Sequence, residues 1–393
     1  MRQVYLDHIA ATPLDPQVLE AMLPFLREKF GNPQSLHSAG QEALQAIEEA
    51  RSHVARLIGA GDSEVLFTAS GSEANNFALK GMAMARRDKG SHLVLSAIEH
   101  QSVLHSAKSL EKSGFSTTLV PVDKDGSVDP DAVRQAIRKE TALVSVMLAS
   151  SEVGTIEPLA EISRICRAAG VPLHTDAVAA VGNIPVDIKE LGVDALSLAA
   201  DQFYGPKGAG ALFIKKGVRI LPLIDGGTQE GGRRAGTENV AAIAGLGKAA
   251  EIAEARLEER RGRLQTLRDR LIEELPRKVD RVCLTGHRER RLPHHASFCV
   301  EFIEGEGMLL HLDMKGISVS SGSACTSRAL KASHVLLAMG IDHALAQGSI
   351  VFSLLDSTAG EDIDYLLEVL PPIIDRLRKM SPLYTKFLEE CQK

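Results

Sequence analysis

From about residue 15 to 255, short apolar runs alternate with amphipathic helical stretches, and this alternation constrains the fold of the 393-residue chain more than any other feature. The runs lie at 65–68, 92–96, 118–121, 143–147, 172–174 and 195–198, with helical spacing between them in segments such as 38–57 and 158–169. Strands separated by helices are joined by crossovers, which predicts an α/β architecture: a mainly parallel sheet covered by helices on both faces.

A charged stretch over 248–274 keeps Ile252, Leu257, Leu264, Leu267 and Leu271 at helical spacing and reads as a connecting helix. Beyond it, apolar runs near 296–302 and 349–354 precede a helical pattern over 361–380. The expected organisation is a large α/β domain over 16–255 and a smaller α+β domain built from 1–15 and 256–393.

A net charge of −6 without a basic tract leaves no electrostatic footprint for nucleic acid or for a membrane surface, so neither is expected as a partner. No apolar run approaches the roughly 20 residues that span a bilayer, and the first residues show no apolar signal region, so a cytoplasmic location is expected. The five cysteines, Cys166, Cys283, Cys299, Cys325 and Cys391, are scattered, odd in number and free of any Cys-x-x-Cys pair. They read as free thiols of a reducing compartment. A zinc or iron–sulfur site built from this chain alone, which needs about four clustered ligands, is not expected.

Several segments carry residues suited to chemistry. Thr68-Ala-Ser-Gly-Ser-Glu-Ala-Asn-Asn76 follows a predicted strand and opens a helix. Its small residues, Gly71 and Ser72 among them, let backbone amides approach an anion, or they form an ordinary capped helix start. Asp176 ends the run His174-Thr-Asp176, where ligands collect in open α/β sheets; it suits a pyridinium nitrogen or a turn. Cys325 lies in Val319-Ser-Ser-Gly-Ser-Ala-Cys-Thr-Ser327, a small-residue run without apolar periodicity that reads as an exposed loop in which a thiol reacts. Cys166 and Cys299 sit inside apolar patterns and are expected to be buried; His294 and His295, with no suitably spaced carboxylate or cysteine, are expected to be structural. Residues 196–212 form an apolar strand running into a Gly205-Pro-Lys-Gly208 turn. That is where aminotransferase-like enzymes carry the lysine that binds pyridoxal phosphate, and here the position is Gln202, whose amide nitrogen is no nucleophile.

Together these segments resemble the cysteine desulfurases of the IscS/NifS group, within the class-V aminotransferases, over essentially the whole chain. The resemblance is carried by Tyr5-Leu-Asp7, Gly31-Asn-Pro-Gln-Ser-Leu-His37, Glu73-Ala-Asn-Asn76, Glu99-His100, Gly154-Thr155, Asp176-Ala177, Gly205-Pro-Lys-Gly208, Arg234-Ala-Gly-Thr-Glu-Asn239, Gly322-Ser-Ala-Cys-Thr-Ser327 and Ser381-Pro-Leu-Tyr384. It implies a fold-type I pyridoxal-phosphate homodimer with each active site near the subunit interface. It further implies that His100 stacks on the pyridine ring, Asp176 meets its nitrogen, Gly71 and Ser72 cradle the phosphate, and Thr237 reaches the phosphate of the second protomer. Cys325 is implied to take sulfur from cysteine as a persulfide, and the C-terminal region to dock an IscU/NifU-type scaffold.

The chain departs from the family pattern in one place. Asp201-Gln202 stands for the family's His-Lys pair, Ala199 for its phosphate-binding serine, Ala179 for a glutamine, Ser150-Ser151 for Asn-Asn, and Val351 for the arginine that grips the substrate carboxylate; Asp356 replaces a second arginine. A carboxylate at residue 201 about 6 Å from a phosphate would repel it by roughly 3 kcal/mol at an effective dielectric near 20. These changes predict no covalently bound pyridoxal phosphate. The main expectation is therefore a desulfurase-like protein of iron–sulfur cluster assembly that does not itself desulfurate, with Cys325 as sulfur carrier or as a ligand to a cluster shared with the scaffold. Two alternatives stand beside it: an active pyridoxal-phosphate-dependent cysteine desulfurase using a different amine, Lys207, and a regulatory subunit that pairs with an active paralogue.

Overall fold

The computed structural model describes residues 2–321 and 332–391. Its strands are β1 (Val4–Tyr5), β2 (Val65–Thr68), β3 (His92–Ser96), β4 (Ser116–Val120), β5 (Thr141–Ser145), β6 (Leu173–Asp176), β7 (Ala195–Ala199), β8 (Gly210–Ile214), β9 (Val282–Thr285), β10 (His295–Val300), β11 (Ile317–Ser318) and β12 (Ser349–Ser353). Seven of them make a central sheet in the order β2-β8-β7-β6-β5-β3-β4. From β3 to β7 every pairing is parallel. Only β8 is reversed, lying antiparallel between β7 and β2. The connection over 200–209 contains a 3₁₀ turn and no crossover helix, so the chain returns in the opposite direction. Strands β2, β3 and β5 to β8 are buried along their whole length, as apolar runs covered on both faces must be, while the edge strand β4 is partly exposed. The expected α/β architecture is the observed one, and it brings the ends of β2, β3, β6 and β7 to a single edge.

The predicted connecting helix is Val240–Lys278, 39 residues long. The Asn239 side chain accepts the Ala242 N–H at 3.2 Å and so caps its start. Its first half packs Ala242, Ile243, Leu246 and Ala250 into the core beneath the central sheet. Its second half adds Leu264, Leu271, Ile272 and Leu275 to another core, shared with β10, β12 and the helix Gly360–Lys379. That core also takes Val4 and Leu6 from the chain start, held there by pairing of β1 with β11. The expected division at residue 255 thus falls inside one continuous helix. In the second unit β9, β10 and β12 form an antiparallel sheet. Cys166 and Cys299 are buried, as expected. His294 and His295 are buried too: His294 stacks on His8 at 4.4 Å, and His295 Nε2 lies 2.9 Å from the Ser151 carbonyl. Burial pushes the pKa of His295 down to about 3, which fits a neutral packing residue. Among the described residues no helix is long and apolar enough to cross a membrane.

One buried ion pair fastens the 229–236 segment to the sheet. Glu230 accepts two hydrogen bonds from the Arg51 guanidinium, at 2.8 and 3.0 Å, and a third from the Phe67 N–H at 3.0 Å. The two side chains are only 11% and 3% exposed. Glu230→Ala leaves the Arg51 guanidinium with only the exposed Glu48 carboxylate at 3.2 Å as counter-charge, and is expected to destabilise the fold by about 3 kcal/mol in urea unfolding; a loss below about 1 kcal/mol would show the pair to be dispensable.

Candidate functional site

Asp176 closes β6 at the edge where the parallel strands end, and it is buried. Its Oδ1 accepts the Val178 N–H at 3.0 Å and its Oδ2 accepts Asn75 Nδ2 at 2.6 Å. Among the described residues it forms no ion pair. Desolvation raises its pKa, and nearby His100 opposes that rise. Asn75 also donates to Ser102 Oγ at 2.9 Å, and Ser102 Oγ in turn lies 2.7 Å from His100 Nδ1. His100 Nδ1 accepts the Ser102 N–H at 3.2 Å as well, which caps the helix Gln101–Glu111. With Nδ1 used as an acceptor, the neutral ring carries its proton on Nε2. The structure therefore joins His100 and Asp176 through Asn75 and Ser102, two residues to which the sequence reading assigned no role.

The helix that begins at Gly71 runs on from β2. Ser70 caps it by accepting the Glu73 N–H at 3.1 Å, and Glu73 accepts the Ala69 N–H at 2.8 Å. A Cβ on Gly71 would stand 2.5 Å from Val178 Cγ2, so a side chain at residue 71 would drive the helix start away from the Asp176 loop. Ser72 is exposed on the first turn. Arg234 bonds Glu73 at 2.9 Å, tying the 229–239 segment to this helix start. Thr237 lines a cavity of about 140 Å³ with Thr68, Ala69 and Gly208, which sets it beside the helix start and the Gly205–Gly208 turn.

Gln202 is buried and engaged. Its Nε2 donates to the Ile9 carbonyl at 3.2 Å, and its backbone carbonyl accepts from Asn183 Nδ2 at 3.2 Å and lies 2.9 Å from His8 Nε2. Burial raises the pKa of Asp201, while the Gln202 side chain and the Lys207 ammonium act to lower it. Lys207 is exposed in the turn that follows. Ala199 and Ala179 are buried. Val351 is buried in β12, opposite Ser297. Asp356 does not face the site as an unpaired charge: Arg263 binds it at 3.0 Å, Arg260 lies at 3.7 Å, and its N–H donates to the Tyr204 hydroxyl at 2.6 Å. Cys325 lies outside the described residues.

Glu99, noted in the sequence only as part of Glu99-His100, is fully buried beside this constellation. Its Oε1 accepts Ser96 Oγ at 2.6 Å and the Met147 N–H at 2.7 Å, and its Oε2 has no partner. Desolvation, reinforced by the Asp176 and Glu157 charges, pushes its pKa up to about 8. No periodicity announces such a group: a carboxyl three positions beyond a strand reads as solvated until the fold encloses it.

The chain matches the family model for class-V aminotransferases over residues 4–366. It is 52% identical over 381 residues to a protein of Dictyoglomus turgidum named cysteine desulfurase IscS, covering 97% of each. A Methanosarcina thermophila protein of the same name is 50% identical over 385 residues, covering 98% of this chain and 95% of the relative. The fold superposes on a NifS-like protein with a TM-score of 0.90 at 38% identity, covering 96% of this chain and all of the other.

These matches overturn the expectation of no covalently bound pyridoxal phosphate, because proteins of this family at about 50% identity depend on that cofactor. The electrostatic part of the expectation also left out the surroundings of Asp201. It took Asp201 as a bare charge, whereas burial favours its neutral form and Lys207 partly compensates the charged one. The residues present fit the ring nitrogen of the group: among the described residues Asp176 is a buried carboxyl without an ion-pair partner, a place where a protonated ring nitrogen would supply the cation.

Folded Glu99 keeps its proton up to about pH 8, while the unfolded chain releases it near 4.5. Across that window the folded state holds the extra proton, so this group's contribution to stability falls as pH rises. Glu99→Gln keeps the acceptor oxygen and removes the titration. Its stability relative to the wild type is expected to increase steadily from pH 5 to 8 in urea unfolding; a difference that does not change with pH would contradict the assignment.

Proposed function

Since the chain belongs to the class-V aminotransferase family, we propose that it is a pyridoxal-phosphate-dependent cysteine desulfurase serving iron–sulfur cluster assembly, in which an amine other than residue 202 engages the cofactor. The observation that carries this reading is the buried Asp176 carboxylate, linked to His100 through Asn75 and Ser102 and lacking a cation of its own. When bound, pyridoxal phosphate supplies an electron sink for the α-carbon of the substrate. Asp176 would hold the proton of the ring nitrogen and His100 would stack on the ring, with Asn75 and Ser102 keeping the two side chains in register. The backbone at Gly71 and Ser72 would receive the phosphate, and Thr237 would reach the phosphate of the second protomer in a homodimer.

Lys207 is the amine we assign. It stands in the turn five residues after Gln202, and its charge already acts on Asp201. Cys325 accepts the substrate sulfur as a persulfide and passes it to an IscU/NifU-type scaffold docked at the C-terminal surface, in the cytoplasm. The working units are the large domain over 16–255 and the small domain of 1–15 and 256–393.

Incubation with pyridoxal phosphate followed by gel filtration is expected to leave a visible absorbance on the wild type that Lys207→Ala loses. Addition of L-cysteine to the wild type should yield alanine. Cys325→Ser is expected to keep the absorbance and lose sulfur transfer. A wild-type protein that emerges colourless, or that makes no alanine, would overturn the proposal.

A further inference from the structure

Cys283 and Cys299 occupy directly opposed positions of β9 and β10. The Glu301 N–H donates to the Arg281 carbonyl at 3.1 Å two residues away, which puts the cysteines in the hydrogen-bonded phase of the same antiparallel ladder. Opposed Cα atoms in that phase lie about 5.5 Å apart, inside the roughly 4.4–6.8 Å that a disulfide bridges. The Cys283 sulfur is 3.6 Å from the Cys299 carbonyl oxygen. The two differ in access: β9 is the outer strand of its sheet and Cys283 is exposed, whereas Cys299 is 0% exposed. An outer thiol meets solvent, and the inner one is reached through it.

Their acidities divide the same way. The Cys299 side chain, as a hydrogen-bond partner for the Cys283 thiolate, brings the Cys283 pKa down to about 7 against the effect of burial. Cys299 is pushed far up, because losing its proton removes that donor and places a second charge beside the first in a buried position. An attacking thiolate and a protonated resolving thiol are the two parts that thiol–disulfide exchange needs. Neither residue belongs to the cofactor site.

We infer that Cys283 and Cys299 form a redox-active dithiol that exchanges with low-molecular-weight disulfides and closes a cross-strand bond between β9 and β10. The Cys283 thiolate attacks one sulfur of the small disulfide, forming a mixed disulfide and expelling a thiolate, which takes up a proton. Cys299 then gives its proton to solvent as its sulfur attacks the Cys283 sulfur and expels the second thiolate. The protein dithiol loses two electrons, and the small disulfide gains them as two thiols.

The test uses the reduced full-length protein and oxidised glutathione, read by peptide mapping without reduction. The wild type is expected to give a cross-link joining the peptides that contain Cys283 and Cys299. Cys299→Ala should instead accumulate glutathione on Cys283. Alkylation of Cys283 by iodoacetamide should show a midpoint near pH 7 in the wild type, from the lowered pKa of about 7, and should slow about 10-fold at pH 7 in Cys299→Ala. The exposed Cys391 serves as the internal reference. Should Cys299→Ala fail to fold, Cys283→Ser decides the matter, since loss of its exposed partner must leave Cys299 unmodified. A wild type that carries glutathione on Cys283 without the cross-link, or a Cys283 no more reactive than Cys391, would overturn the inference.

Discussion

The hydrogen bond from Asn75 to Asp176 holds together the part of the molecule on which its chemistry rests. Asp176 ends a fully buried strand, and Asn75 lies in the helix that starts directly after another strand, so a 2.6 Å contact between them fixes two sheet ends against each other. A carboxylate taken out of water at that depth is costly unless hydrogen bonds and a cation compensate it. The described residues supply the hydrogen bonds and no ion-pair partner. From the same amide the order passes to Ser102 and on to His100, so ring orientation and carboxylate position are set by one network.

Around residue 202 the local chemistry differs from the family pattern, and the structure shows what the substituted residues do instead. Gln202 braces the chain start through Ile9. Asp356, in place of an arginine, is gripped by Arg263 with Arg260 close by, and it joins the long helix to the strand end of the second unit. Asp356 is therefore a paired charge, and counting it along the sequence as a bare negative charge overstates its field. At Asp201 burial raises the carboxyl pKa, while the Gln202 side chain and the Lys207 ammonium oppose that rise.

The parallel sheet was legible because its strands are buried on both faces and appear as continuous apolar runs; β2 and β3 lie where those runs predict. The reversal of β8 was not legible, since strand direction leaves no mark on an apolar pattern and depends on whether the connection contains a helix. Asp176 and His100 could be named from motif and resemblance, but not the amide and hydroxyl that join them, because Asn75 and Ser102 meet only after two helices pack. Glu99 carries its signal in its enclosure. The cysteines at 283 and 299 looked scattered because strand register, not sequence spacing, makes them neighbours.

If the Asp176 carboxylate binds the ring nitrogen of pyridoxal phosphate, removing its charge must weaken cofactor binding. Calorimetric titration of the full chain with the cofactor, in wild type and Asp176→Asn, tests it most directly. A charged hydrogen bond of about 1.5–3 kcal/mol corresponds to binding weakened about 10- to 150-fold in the variant, and that loss is the expected result. Equal affinity in the two proteins, or no heat of binding in either, would contradict it.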